Sequence, residues 1–134
     1  MEVHVNYLAV LVAAVASYVI ASLWYGVIFK KQWMQLTGIT EMKPAPLQMV
    51  LPFLGSLMMS FVLTHSIAFG NAYVQTSGLA GGLQGGFYNW IGFIVPLTLM
   101  GVVYEKRPWK LWVLDISFWL VSLLVMGAIL SSWV

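Results

Sequence analysis

The chain has 134 residues, a length that fits a single domain (1–134), with 61% hydrophobic residues and 7% charged ones. Soluble domains carry about 25% charge, so ten formal charges cannot supply a water-facing surface, and a net charge of +2 is too small to argue for nucleic acid. Cysteine is absent, which excludes disulfides, thiolate nucleophiles, zinc knuckles and iron–sulfur clusters.

Val5 to Phe29 is a run of 25 residues without charge, bounded by His4 and Lys30-Lys31. A bilayer core about 30 Å thick is crossed by about 20 helical residues. The start, Met1-Glu2-Val3-His4, lacks the basic residues of a secretory leader, and apolar sequence continues past Ala14-Val15-Ala16. The run therefore reads as a permanent first helix, about 5–29. Ala9, Ala13, Ser17 and Ala21 recur along it every four residues. In lipid, such a stripe of small side chains lets another helix approach closely.

Lys30 to Pro46 reads as a short polar loop holding three of the six basic residues. Within it, Lys30 to Thr37 predicts a turn or two of interfacial helix ended by Gly38. Pro44 and Pro46 are expected to break any continuation. From Pro44 to Tyr104 there follow 61 residues without Asp, Glu, Lys or Arg, room for two crossings and a turn. The turn is expected at Gly70-Asn71 and again through the glycine-rich stretch from Thr76 to Gly86. Helix two then covers about 47–69, with Ser56, Ser60 and Thr64 as a weakly polar stripe. Helix three starts within Leu79–Gly85 and covers about 80–104, and Gly81, Gly85 and Gly92 fall close to one face of it. Pro96 predicts a kink or a loosened turn. Glu105-Lys106-Arg107-Pro108 reads as a tight charged turn, and helix four covers about 109–133 with a single acid, Asp115.

The fold class is thus all-α, a polytopic bundle of four transmembrane helices. Lys30, Lys31 and Lys43 lie between helices one and two, and Lys106, Arg107 and Lys110 between three and four. The other connections carry no basic residue, so the positive-inside rule places both termini away from the cytoplasm. Tyr7, Tyr73, Tyr88 and Trp133 would mark the outer boundary, and Tyr25, Trp33, Tyr104, Trp109 and Trp112 the inner one. One internal echo accompanies this layout. Gly26-Val27-Ile28-Phe29-Lys30-Lys31-Gln32-Trp33 reads against Gly101 to Trp109 at an offset of 75 residues, as two parallel hairpins would. Helix ends that meet a basic membrane face also collect aromatics and lysines without any repeat.

Asn6-Tyr7-Leu8-Ala9, Trp24-Tyr25-Gly26 and Trp33, with Glu105-Lys106-Arg107-Pro108, Leu111 and the Ser122 to Ile129 tail, resemble a bacterial four-helix membrane family. It is catalogued as domain of unknown function 1761. Trp24-Tyr25-Gly26 is the most specific of these signatures. Proline often follows that glycine in the family pattern, whereas Val27 stands here. The resemblance implies a small protein of the bacterial cytoplasmic membrane. It brings no catalytic residue and no cofactor.

Charge inside a membrane marks a functional candidate, because burying it at the centre costs about 2.5–3.5 kcal/mol or more. Asp115 is the only such residue, with Trp112, Trp119 and Ser122 on its helical face. It reads either as a proton or cation site at the inner mouth, or as an anchor paired with Lys30, Lys31 or Arg107. His65, Asn89 and Asn6 fall at similar depth near the outer side and would form a polar pocket if they converged. A lone histidine there is more often hydrogen-bonded to a neighbouring helix. Two histidines without cysteine make a weak metal case. With Asp115 toward the inner side and His65 toward the outer one, no serine has both beside it for a hydrolytic triad. Two function classes remain. The first is a non-enzymatic, oligomeric or scaffold-type membrane protein, partnered by lipid and by its own copies through Ala9/Ala13/Ser17/Ala21 and Gly81/Gly85/Gly92. The second is a compact transporter or channel that uses the His65/Asn89 pocket. A polar stripe from His65 to Asp115 would favour transport, and a dry core between them the scaffold.

Overall fold

The computed structural model describes residues 4–39 and 46–133. Helix is the only regular structure among them. Helix α1 (Tyr7–Leu23) runs through a π turn (Trp24–Ile28) into the short α2 (Lys30–Thr37). Helix α3 (Pro46–Val74) is followed by α4 (Gly78–Asn89), a second π turn (Trp90–Ile94), α5 (Val95–Tyr104) and α6 (Trp109–Ser132). Read through their π turns, these give four helices long and apolar enough to cross a membrane: Tyr7–Ile28, Pro46–Val74, Gly78–Tyr104 and Trp109–Ser132. The four-span, all-α class read from the sequence is therefore the observed one.

The helix ends have local causes. Asn6 caps α1 by accepting the Ala9 N–H at 3.2 Å, and its amide donates to the Trp133 carbonyl at 3.0 Å, tying α1 to the end of α6. Gly38 ends α2 in the left-handed region (φ 76), its N–H bonded to the Met34 carbonyl at 3.0 Å. The expected short helix before Gly38 is present. Pro46 opens α3 rather than only breaking what precedes it, a position where the missing N–H costs nothing. Lys43 and Pro44 lie outside the described residues.

Two boundaries differ from expectation. The chain does not turn at Gly70-Asn71: α3 continues to Val74 and reverses at Gln75, which adopts φ 56. The Thr76 N–H then returns to the Asn71 carbonyl at 3.0 Å, while the Thr76 hydroxyl donates to Asn71 Oδ1 at 2.9 Å. A glycine inside a helix costs about 1 kcal/mol. In lipid the alternative is an unpaired backbone, which costs several times that, so glycine alone does not stop the helix. The loosened turn expected at Pro96 lies just upstream, at Trp90–Ile94. Proline has no N–H for the carbonyl four residues back, and the wide turn takes up the mismatch.

Packing centres on α6, which lies most extensively against α4 and α1 and more lightly against α3 and α5. Ala9 and Ala13 are buried with Leu63, Leu123 and Met126 in one apolar core. Ser17, also buried, shares a 2.6 Å hydrogen bond with Ser122, and the Ser60 hydroxyl donates to the Val10 carbonyl at 2.8 Å. The stripe on α1 thus contacts helices of the same chain, with Ala21 half-buried at its end. The closest approach joins α4 to α6. A Cβ on Gly82 or Gly127 would collide with the other's carbonyl, and one on Gly86 with the Leu123 carbonyl. Gly81 and Gly85 face Asn71 and Ile67 of α3 instead, and Gly92 has no neighbour within 4 Å of where its Cβ would stand. The two segments of the 75-residue echo diverge in shape. Lys30 continues as α2, whereas Glu105 opens a non-helical turn, and the π turns fall at different points of the two spans.

Candidate functional site

Asp115 gathers the polar groups of three elements. The first π turn brings Tyr25 to it, and the phenol donates to Asp115 Oδ1 at 2.6 Å. Arg107 follows Lys106, whose left-handed backbone (φ 57) turns the chain between α5 and α6. Its Nη2 stands 3.7 Å from Asp115 Oδ2, with the arginine side chain 49% exposed and the aspartate side chain 20% exposed. Of the three bases the sequence offered, Arg107 is the one seated there. Trp112 donates its indole N–H to the Thr98 hydroxyl at 3.0 Å, and Thr98 in turn donates to the Ile94 carbonyl at 2.6 Å. A cavity of ≈ 10 Å³ between Thr98, Arg107, Trp112 and Asp115 has room for about one water molecule.

The π turns converge on the same place. Each begins with a tryptophan. Trp24 donates its indole N–H to the Leu114 carbonyl at 3.3 Å, and Trp90 donates to the Ile116 carbonyl at 2.8 Å. The α6 carbonyls on both sides of Asp115 are therefore pinned, one from the first span and one from the third. Wide turns of this kind recur at functional positions in helices. Trp119 packs on Phe118 with centroids 4.8 Å apart, and Phe118 in turn on the Tyr25 ring at 5.3 Å. Of the expected inner trio Trp112 borders the same small cavity as Asp115, and the structure adds Tyr25, Arg107 and Thr98. Sequence reading assigned Tyr25 to the aromatic belt. A sole intramembrane acid needs a donor at its own depth, and that requirement was the available signal.

At the other end, His65, Asn89 and Asn6 each take a different partner. His65 Nδ1 lies 2.9 Å from the carbonyl of Phe61, on its own helix. Asn89 donates to the Ser66 hydroxyl at 3.0 Å and to the Gly85 carbonyl at 2.8 Å. Asn6 is the α1 cap already described. Asn89 borders an apolar groove of ≈ 410 Å³ lined by Met58, Val62, Leu63 and Phe93, which His65 and Asn6 do not line. The three side chains form separate hydrogen bonds rather than one pocket.

Comparison with curated proteins found no match, and comparison with solved structures found none. One family model covers residues 8–131, nearly the whole chain. The four apolar spans, the Trp24-Tyr25-Gly26 turn and that match together assign the chain to the family described as protein of unknown function (DUF1761).

Proposed function

We propose that this protein is a non-conducting, non-enzymatic scaffold of the bacterial cytoplasmic membrane, with both termini outside and Asp115 serving as a structural anchor near the inner face. The observation that carries this is the layer between Asp115 and the level of His65. There α1, α3 and α6 meet through buried apolar side chains such as Ala13, Leu63 and Met126. The buried hydroxyls within that layer, Ser17, Ser60 and Ser122, are bonded inside the chain. A path for ions or protons needs polar side chains or water along its length, and this layer supports a dry interior. Charge placement supports the orientation, because every basic residue lies in the two connections assigned to the cytoplasm. Self-association falls to the third span, whose Gly92 face is open, since the α1 stripe is occupied within the chain.

Flux through reconstituted vesicles tests the reading. Wild type and Asp115→Asn are both expected to pass protons, sodium and potassium no faster than empty vesicles. Wild-type flux that disappears in Asp115→Asn would overturn it.

A further inference from the structure

A cleft of ≈ 550 Å³ lies between α1, α3 and α6. It exists because facing positions carry little side chain: Ala21 and Gly26 on one side, Gly55 and Ser56 on the other. α1 and α3 meet tightly where Ser60 bonds Val10, and separate beyond that point toward Tyr25 and Gln48. The walls are aromatic, from Tyr18, Tyr25, Phe118 and Trp119. Along α1 the cleft runs from Ser17 to Gly26, about 14 Å at the helical rise. Its volume, apolar walls and few polar groups are those of a small-molecule site between helices.

The polar groups define the chemistry. Among the described residues, no Asp, Glu, Lys or Arg lines the cleft. Ser56 is buried as a residue, yet its hydroxyl has no partner among the described residues, and no enclosed side-chain oxygen there is left unpaired. Its oxygen therefore opens into the cleft. The Tyr18 hydroxyl likewise has no hydrogen bond among the described residues, while the Tyr18 ring stands edge-on against Phe53 at 5.9 Å. Both hydroxyls can donate and accept. They sit at the end of the cleft nearer the middle of the spans, where a charged group is costly.

We propose that this cleft binds a long-chain lipid-soluble molecule with an uncharged hydrogen-bonding head, the head at Ser56 and Tyr18, the first part of the tail beside Ala21, Gly26 and Gly55, and the rest leaving sideways between α1 and α3 into lipid. An isoprenoid quinone and a long-chain alcohol share that chemistry. A phospholipid does not, because its charged head must stay at the surface. The site does not depend on the non-conducting reading, since binding between helices neither requires nor prevents flux.

The test uses the full chain in phosphatidylglycerol/phosphatidylethanolamine vesicles with a long-chain alcohol carrying a diazirine in its tail. After illumination, labelled positions are mapped by mass spectrometry. Label is expected on 21–26 of the first span and 48–55 of α3, and unlabelled quinone or alcohol should displace it. The stronger competitor identifies the source. Gly55→Leu and Gly26→Leu add side chains where a Cβ meets nothing within 4 Å, so each should fold with an unchanged melting temperature. Each should also lower labelling at these segments by about tenfold, equivalent to about 1.4 kcal/mol. Ser56→Ala should weaken displacement by both competitors. Label spread evenly over lipid-facing positions such as Val19 and Phe93 would overturn the proposal. So would label undiminished in both leucine variants, or displaced equally well by a lysophospholipid.

Discussion

Asp115 keeps its place in α6 through unequal partners. Tyr25 gives it a short hydrogen bond from a half-buried phenol, whereas Arg107 stands at the edge of ion-pair distance with half its side chain exposed. Hydrogen bonds to charged groups contribute about 1.5–3 kcal/mol, and exposed ion pairs about 0–1 kcal/mol. Tyr25→Phe should therefore lower stability by about 2 kcal/mol. Arg107→Gln should lower it by less than about 1 kcal/mol. Asp115→Asn still accepts from Tyr25 and should fall between the two. Thermal unfolding of the three variants in one detergent gives the ranking, and an Arg107 effect above that of Tyr25 would reverse the assignment. Asp115 was legible in the sequence because a charge in an apolar run stands out, and Arg107 only as one of three bases that could pair with it. Tyr25 was not, because lipid alone explains an aromatic residue at a helix end.

At the scale of the elements, the glycines separate into those that permit contact and those that do not. Gly127→Ala drives a methyl into the Gly82 carbonyl, backbone against backbone. Overpacking of this kind costs about 1–3 kcal/mol, and with two rigid helices the upper end is expected. Within the dissociated monomer Gly92→Ala meets open space and should stay within about 0.5 kcal/mol of wild type. In membranes, where the proposed self-association covers Gly92, the same substitution should weaken assembly, and unchanged cross-linking would remove Gly92 from the contact. Gln75 holds a left-handed backbone that glycine adopts freely, so Gln75→Gly should raise stability by about 1 kcal/mol. The sequence showed that helix three packs through glycine, but it placed 81, 85 and 92 on one helical face. A wheel of uniform pitch cannot represent the π turn that contains Gly92. Nor can it tell the 81/85 stripe against α3 from the 82/86 stripe against α6.

For the whole molecule, the number of spans was readable because length, hydropathy and charge report it almost without reference to packing. Which helix sits at the centre was not, since all four are apolar on every side and none has a marked amphipathic face. Topology is testable because the chain has no cysteine of its own. In intact cells, Ser77→Cys should react with a membrane-impermeant thiol reagent and Lys31→Cys should not. The opposite pattern would invert the proposed orientation. The central place of α6 also has a consequence in time. Of the four spans it leaves the ribosome last, so the first three must wait in the membrane without the surface on which most of them pack. Trp24 and Trp90 reach that stage with indole N–H groups whose acceptors are not yet synthesised. Nascent chains arrested before Trp109 should hold only the lighter contacts of α3 with α1 and α4, stay open to protease and to membrane quality control, and become resistant when α6 arrives.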